Sequence, residues 1–590
     1  MKVFVDLKWF FIRERKSYLI GIIILLFVAF LQLIPPKIVG IVVDGIKSNQ
    51  LTSGQLWKWM LILIATALSM YGLRFVWRIM IFGSAIKLSR LLRNRLYHHF
   101  TKMSPSFYQK RRVGDLMAHA TNDLQAIQQT AGSGVLTLVD SLATGGFVIV
   151  AMAFTISWKL TLIALIPMPF MALLTNYYGT LLHKRFHKAQ EAFSALNDKT
   201  QESVSGIKVI KTFGQEKEDI EAFTEQSRDV VDKNVAVARV DSLFDPTISI
   251  IVGLSFFLSI VFGSRMVVNG ELTIGELISF TAYLGLLIWP MLAFGWLFNI
   301  VERGRASYDR VSDLLKEEVE IGDMGNELKE LPSGDIEYKI ESFRYPGEDK
   351  KALDSIHFTI SKGSTIGLVG KTGSGKTTVL RLLLREFDGY EGEILIGSRS
   401  IEEYKLSSLR QSIGYVPQDH FLFSSTIYEN IAFTDPLISS SRVEDAAKAA
   451  HIHDDIREFT DGYDTVVGER GVSLSGGQKQ RISIARALLM DPEVLLLDDS
   501  LSAVDAKTEE AILSSLKENR AGKTTIITAH RLSAIQHADL IVVLDEGNII
   551  ERGTHSDLMS MKGKYREMYV RQQLEDLVER GGDEEWKTPQ

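Results

Sequence analysis

The sequence predicts two unlike parts in one chain: a membrane domain of six transmembrane helices with long cytoplasmic extensions, fused to an α/β domain of the P-loop type. Three observations predict this. Roughly the first 300 residues hold apolar runs long enough to cross a bilayer, for which about 20 residues suffice. The rest of the chain alternates strand-like and helix-like patterns. Within that second part the apolar segment Thr365–Val369 runs into Gly370, Lys371, Thr372, Gly373, Ser374, Gly375, Lys376 and Thr377, and a helical segment follows at once.

The composition excludes several classes. Of 590 residues, 46% are hydrophobic and 23% charged, and Lys+Arg minus Asp+Glu gives 66 − 72 = −6. No basic field points to nucleic acid. With no cysteine there is no disulfide, thiolate metal site or cysteine nucleophile.

Six spans are predicted, at about 17–46, 56–85, 133–156, 159–182, 246–269 and 274–300. Residues 1–16 mix Leu7, Trp9, Phe10 and Phe11 with Lys8, Arg13, Arg15 and Lys16, which suits a short helix at the inner membrane interface. The first span is too long for a cleavable signal, and Pro35 and Pro36 interrupt any cleavage pattern. Arg74 and Arg78 share one face of the second span, either facing the bundle interior or reaching an interface, or else serving a substrate path. Lys87, Arg90, Arg93, Arg95, Lys102, Lys110, Arg111 and Arg112 crowd one inward connection. The positive-inside rule therefore sets both termini in the cytoplasm. The inward connections 86–132 and 183–245 are too long for structureless loops and read as helical extensions, with tips near Gly114–Leu116 and Phe213–Glu216. The membrane domain takes in 17–301, and a linker with Gly322, Gly325, Pro332, Ser333 and Gly334 covers 302–335. The α/β domain covers 336–574, and 575–590 is a charged, flexible tail.

In the P-loop the glycines let backbone N–H groups curl toward phosphate oxygens, and a helix N-terminus adds positive potential. Lys376 is expected at the β- and γ-phosphates of ATP, and Thr377 at Mg²⁺, with Thr378 beside it. Val494–Leu497 reads as a buried parallel strand ending in Asp498, the carboxylate expected to position Mg²⁺, followed by Asp499.

Leu474, Ser475, Gly476, Gly477 and Gln478, placed between the P-loop and Asp498, resemble the signature of ATP-binding cassette (ABC) proteins. Other motifs of that family match in order. Tyr345 resembles the residue that stacks on adenine, and Gln418 the glutamine that links Mg²⁺ to the membrane domain. Thr465–Gly471, with Glu469, resembles the exporter segment that touches the intracellular loops. Ser502–Asp505 resembles the D-loop, and His530 the switch histidine that contacts the γ-phosphate. The resemblance covers nearly the whole chain. It implies a type I (type IV) exporter half-transporter, similar to the shorter, BmrC/LmrC-like subunit of bacterial heterodimeric multidrug exporters, in a bacterial cytoplasmic membrane. Since the first span begins by about residue 17, no peptidase domain is expected before it.

The resemblance further implies that Leu474–Gln478 serve ATP bound to a second cassette. The expected partners are thus a second half-transporter, membrane lipids and a hydrophobic small molecule. Where the family usually has the glutamate that polarises the attacking water, this chain has Asp499. The implied function is ATP-driven export of amphiphilic drugs by a heterodimer with one weak site. A lipid flippase, a homodimeric exporter, and an ATP-gated channel or sensor stand as alternatives. The spans also carry Trp77, Phe82, Phe256, Phe257, Trp289, Phe294, Trp296 and Phe298, which either pack and face lipid or line a substrate pocket.

Overall fold

The computed structural model describes residues 2–323, 327–468 and 473–579. Glu469, Arg470 and Gly471 of the exporter segment, and most of the predicted tail, lie outside these residues. Two compact units are present: residues 1–100 with 113–317, and residues 101–112 with 318–590.

The first unit is helical throughout. Five helical runs are long and apolar enough to cross a membrane, Arg15–Lys47, Ser53–Phe100, Val113–Leu165, Glu216–Val268 and Ile274–Lys316. The predicted span at 159–182 is helical but divided. It consists of Trp158–Leu165 and the start of Met168–Ser205, because Pro167 cannot continue the preceding hydrogen-bond ladder. Ser157 takes an extended conformation and accepts from the N–H of Leu160 at 3.4 Å, so the third and fourth spans meet in the tight turn expected there. Helix Ser53–Phe100 has 48 residues, about 72 Å at 1.5 Å per residue, far more than the ~30 Å hydrocarbon core. The inward connections are thus helical, as their charged faces predict.

The helix Ile274–Lys316 runs on from the sixth span into the 302–335 stretch, whose residues 311–320 the sequence reads as charged and helical. There Ser307 Oγ donates to Asp123 Oδ1 at 2.9 Å and Arg310 Nε to Asp123 Oδ2 at 3.0 Å, which pins the extension to the helical segment 113–134. The first inward tip is not at Gly114–Leu116, which lies inside helix Val113–Ala118. The chain leaves its helix at Thr101, and Pro105 opens a separate helix, Pro105–Lys110, that groups with the second unit. There Ser104 and Ser106 donate to the Glu320 carboxylate, Ser104 at 2.8 Å, and Lys110 lies 3.8 Å away. The second tip is where the sequence puts it. Helix Ile207–Phe213 ends on Gly214 in the left-handed region (φ 64°), and Glu216–Asp241 returns. Lys199 and Ser203 on the outgoing arm reach Asp219 on the return arm at 2.8 and 3.0 Å.

At its N-terminus the unit carries helices Lys2–Asp6 and Lys8–Arg13. Val3, Leu7 and Phe10 are fully buried, whereas Val5 and Ile12 stay exposed. The Arg95 guanidinium lies 4.3 Å from the Trp9 ring centre, and Tyr18 donates to the Ala131 carbonyl at 3.0 Å. One face of the interfacial segment therefore docks on the bundle.

The second unit is built on two sheets. Its strands are β1 (Ile336–Phe343), β2 (Leu353–Ile360), β3 (Thr365–Val369), β4 (Glu391–Ile396), β5 (Arg399–Ser400), β6 (Ile413–Val416), β7 (Val494–Asp498), β8 (Thr524–Thr528), β9 (Leu540–Asp545) and β10 (Asn548–Gly553). An antiparallel sheet runs β2-β1-β4-β5, and a largely parallel one runs β10-β9-β3-β8-β7-β6. The parallel order sets the C-terminal ends of β3, β6, β7 and β8 side by side, the edge where α/β proteins bind ligands.

Asp123 supplies a test of the first unit. Burial alone would raise its pKa, but hydrogen bonds from Arg310, His119 and Ser307 outweigh burial and hold it below the usual range. A depressed carboxylate stabilises the fold above its unfolded pKa, and that stability is lost as pH falls through the folded value. Asp123→Ala should lower the stability of the detergent-solubilised protein by about 2 kcal/mol and flatten its melting-temperature loss on acidification. An unchanged melting profile between neutral and acid pH would show that the network contributes nothing.

Candidate nucleotide site

The P-loop follows β3 and opens helix Lys376–Leu383. Gly375 sits at φ 102°, and a Cβ there would come within 2.6 Å of Leu353 Cδ2, so only glycine fits. Lys376 is buried, and its ammonium donates to the carbonyls of Gly370 and Lys371 at 2.8 and 3.0 Å. The charge is thereby held within the loop. Burial pulls the Lys376 pKa down, and the negative charges of Asp499 and Asp498 oppose that.

Asp498, 2% exposed at the end of β7, is the centre of the site. Its Oδ1 accepts from Thr377 Oγ1 at 3.0 Å and Thr528 Oγ1 at 2.8 Å, and its Oδ2 from Tyr415 Oη at 3.2 Å. Burial pushes the Tyr415 hydroxyl pKa up, so it remains a donor. A threonine hydroxyl and a carboxylate in contact form a hard-oxygen donor pair suited to Mg²⁺. Thr377 and Asp498 would hold that ion, which would supply positive charge to the terminal phosphates.

Asp499 follows in the left-handed region (φ 45°), where short polar side chains are tolerated best. Its N–H donates to Thr528 O at 3.1 Å and Thr528 Oγ1 at 2.9 Å, which fixes the backbone from which the carboxylate projects. His530 Nε2 lies 4.0 Å from Asp499 Oδ2. Thus Lys376, Thr377, Asp498, Asp499 and His530, scattered over more than 150 positions, converge on one sheet edge.

The other predicted residues are placed less uniformly. Tyr345 packs edge-on against Phe343 and Phe387, both 5.1 Å between ring centres, and its hydroxyl meets Thr378 Oγ1 at 2.9 Å. The ring is thereby held beside the P-loop helix. Gln418 is exposed in the loop after β6 and makes no hydrogen bond to Thr377 or Asp498.

The signature is built separately. Ser475 caps helix Gly476–Leu489 in a reciprocal box with Gln478: Gln478 N–H donates to Ser475 Oγ at 3.2 Å, and Ser475 N–H to Gln478 Oε1 at 3.0 Å. Gln478 Nε2 also reaches Asp455 Oδ2 at 3.2 Å. Ser475 and Gly476 remain exposed at a helix N-terminus, where N–H groups can meet an anion. The signature helix contributes Ile482, Ile484 and Ala485 to one hydrophobic core, and the P-loop helix contributes Val379, Leu380 and Leu383 to another. The P-loop and the Leu474–Gln478 segment therefore rest on different parts of this one domain.

Sequence reading missed Tyr415, Thr528 and Gln480. Gln480 is fully buried and its Oε1 accepts from Ala503 N–H at 3.1 Å, tying the Ser502–Asp505 loop to the signature helix. Tyr415 and Thr528 stand near the ends of the strands flanking β7, with Thr528 level with Asp498. Two strand ends converging on an acidic strand end were the available signal.

Two substitutions test this geometry. Asp498→Asn should abolish Mg²⁺-dependent retention of ATP at this P-loop, read by nucleotide trapping with and without the metal. Lys376→Ala should remove tight ATP binding altogether, and equal nucleotide occupancy in parent and variant would exclude its assigned role.

Comparison with known proteins agrees with this architecture. The family described as ABC transporter transmembrane region matches residues 18–291, and the family described as ABC transporter matches 353–502. The probable multidrug resistance ABC transporter ATP-binding/permease protein YheI of Bacillus subtilis (strain 168) is 48% identical over 576 residues, covering 98% of each chain. The multidrug resistance-like ATP-binding protein MdlA of Escherichia coli (strain K12) is 48% identical over 579 residues, again covering 98% of each. A solved structure of a bacterial Atm1-family ABC exporter with ATP bound matches with a TM-score of 0.79 at 28% identity, over 95% of this chain and 99% of that one. The chain belongs to the ABC transporter family, as a multi-pass membrane exporter whose transmembrane region is fused to an ATPase cassette that drives transport.

Proposed function

We propose that the chain is one half of a heterodimeric exporter that moves amphiphilic drugs or other hydrophobic compounds across the bacterial cytoplasmic membrane, with both termini in the cytoplasm. The observation that carries the asymmetry is Asp499. In the slow site formed on this chain's P-loop, Asp499 stands where a glutamate would orient the attacking water. Its side chain is one methylene shorter, so the carboxylate sits about 1 Å back, a displacement that can cost roughly 10²-fold in rate. Because its N–H is held twice by Thr528, the backbone cannot advance to compensate. A partner with a glutamate at that position and a divergent signature would complete the pair. This chain's full Leu474–Gln478 signature would then serve the partner's fast site.

Several surfaces support a partner. Ser475 is exposed, and its hydroxyl and the adjacent glycine N–H groups are free to donate to a γ-phosphate in trans. At the second inward tip, Ile207, Val209 and Phe213 are exposed. On the cassette, Phe421, Phe423 and Phe433 are exposed as an aromatic group, with Phe423 and Phe433 stacked 4.7 Å apart and Phe421 edge-on to Phe423. Uncovered apolar surface of this kind is where protein interfaces form. The substrate class is supported by the names of the relatives and by Trp289 and Trp296. These exposed rings lie 5.4 Å apart on one face of helix Ile274–Lys316 and offer apolar contact.

In this reading ATP closes two cassettes, the inward tips carry the closure to the membrane helices, and hydrolysis at the partner's site resets them. That is coupling between two sites through two global states.

The deciding experiment compares the chain expressed alone with the chain co-expressed beside a candidate partner. Vigorous ATPase and transport from this chain alone would overturn the heterodimer and favour a homodimer. In the assembled pump, replacing the partner's glutamate should abolish turnover, whereas Asp499→Asn should lower it only modestly. Ser475→Arg should nearly stop hydrolysis while leaving the complex folded, because the residue is exposed and its loop faces outward. Most of the ATPase rate surviving in a folded complex would remove the trans role of the signature.

A further inference from the structure

The geometry points to Gln572, on the last helix, as a positioning residue for the switch histidine. This rests on the reading that His530 contacts the γ-phosphate. The His530 ring is 43% exposed, and among the described residues its side chain makes only the 4.0 Å approach to Asp499. With the ring exposed and so few polar contacts, its place depends on the backbone that carries it.

That backbone is held directly by Gln572, and the side chains of Arg531 and Ser533 are held by Glu509. The Gln572 amide spans Arg531: its Nε2 donates to the His530 carbonyl, and its Oε1 accepts from the Leu532 N–H at 2.9 Å. One backbone acceptor and one backbone donor fix which end of the amide is oxygen. Glu509 is 3% exposed on helix Ala506–Asn519, directly after the D-loop. Ser533 Oγ donates to Glu509 Oε1 at 3.1 Å, and the Arg531 guanidinium lies 3.7 Å from Oε2. Arg531 also donates to the Val504 carbonyl at 3.3 Å, within the D-loop itself.

The helix that presents Gln572 is itself anchored. Helix Lys564–Glu579 starts with the N–H groups of Lys564 and Tyr565 donating to the Glu551 carboxylate on β10, Tyr565 at 3.0 Å. Tyr565 is fully buried, and its hydroxyl meets His555 Nδ1 at 2.8 Å. The clamp is therefore rigid at its root, and Gln572 lies two turns further along. Glutamine is the chemistry this position needs. A carboxylate there would face the His530 carbonyl, and an apolar side chain would leave both backbone groups without their partner.

Gln572 thus acts on nucleotide only through His530, by holding residues 530–532 at the height from which the imidazole can reach a third phosphate. It distinguishes ATP from ADP without touching either. The C-terminal helix becomes part of the nucleotide site, well beyond the segment that matches the family's cassette.

The test uses the full chain in the oligomer it forms when purified from its native host. Photolabelling of this chain by 8-azido-ATP is competed with ATP and with ADP. Gln572→Met, which keeps the volume and removes both hydrogen bonds, should lower the preference for ATP over ADP about fivefold with ADP affinity unchanged. His530→Ala should lower it at least as much. The double variant should equal His530→Ala alone, because a residue acting through His530 has nothing left to position. Should Gln572→Met not fold, Glu509→Gln tests the hold on Arg531 and Ser533 and should shift the same preference. Full ATP preference in either folded variant, with His530→Ala impaired, overturns the positioning role. So does additive loss in the double variant. No effect of His530→Ala itself overturns the inference together with the reading of His530 on which it rests.

Discussion

The carboxylate of Asp498 is the constraint around which the cassette is organised. It is buried, charged groups are costly to bury alone, and three hydroxyl groups from three different elements satisfy it. Thr377 comes from the P-loop helix, Thr528 from the neighbouring strand, and Tyr415 from the strand on the other side. Each also belongs to, or stands next to, a segment with a task of its own. Thr377 sits beside Lys376, Thr528 lies two residues before His530, and Tyr415 three before Gln418. One anion therefore sets the relative height of the P-loop, the switch and the glutamine loop before any nucleotide arrives. Electrostatic preorganisation of this kind is the usual source of large catalytic effects.

Asp499 shows how a small chemical change can be locked in by its surroundings. The residue is adjacent to the organising carboxylate, and Thr528 holds its backbone through both its carbonyl and its hydroxyl. The left-handed backbone conformation leaves little freedom to trade. In the proposed reading, a site with this residue keeps the parts that bind ATP while its water-activating group is set back by one methylene. In that reading, turnover has to come from a second site. That division of labour is the physical content of the proposed asymmetry.

The two inward tips are built by different devices. The first, Pro105–Lys110, is fastened within its unit by Ser104, Ser106 and Lys110 around Glu320, hydrogen bonds that lower the Glu320 pKa. The second is a free-standing helical hairpin stiffened by Asp219, with its apolar residues uncovered.

How much of this was legible depended on whether the deciding interaction was local. The P-loop, the strand ending in Asp498, the capping pattern of Ser475 and Gln478, and the turn at Gly214 are all written in neighbouring residues, because backbone conformation and helix capping act over a few positions. Apolar run length fixed the membrane character for the same reason. What the sequence could not disclose were the choices made by distant partners. The end of helix Ile274–Lys316 is anchored by Asp123, far earlier in the chain, which receives Ser307 and Arg310. The first tip falls at Pro105 and not at Gly114, a choice in which Glu320 holds Ser104 and Ser106. Tyr415, Thr528 and Gln572 carry no motif of their own. Their importance comes from parallel strand order and from a terminal helix folding back, and only the tertiary structure decides which hydroxyl or amide meets a buried charge or an unpaired backbone group.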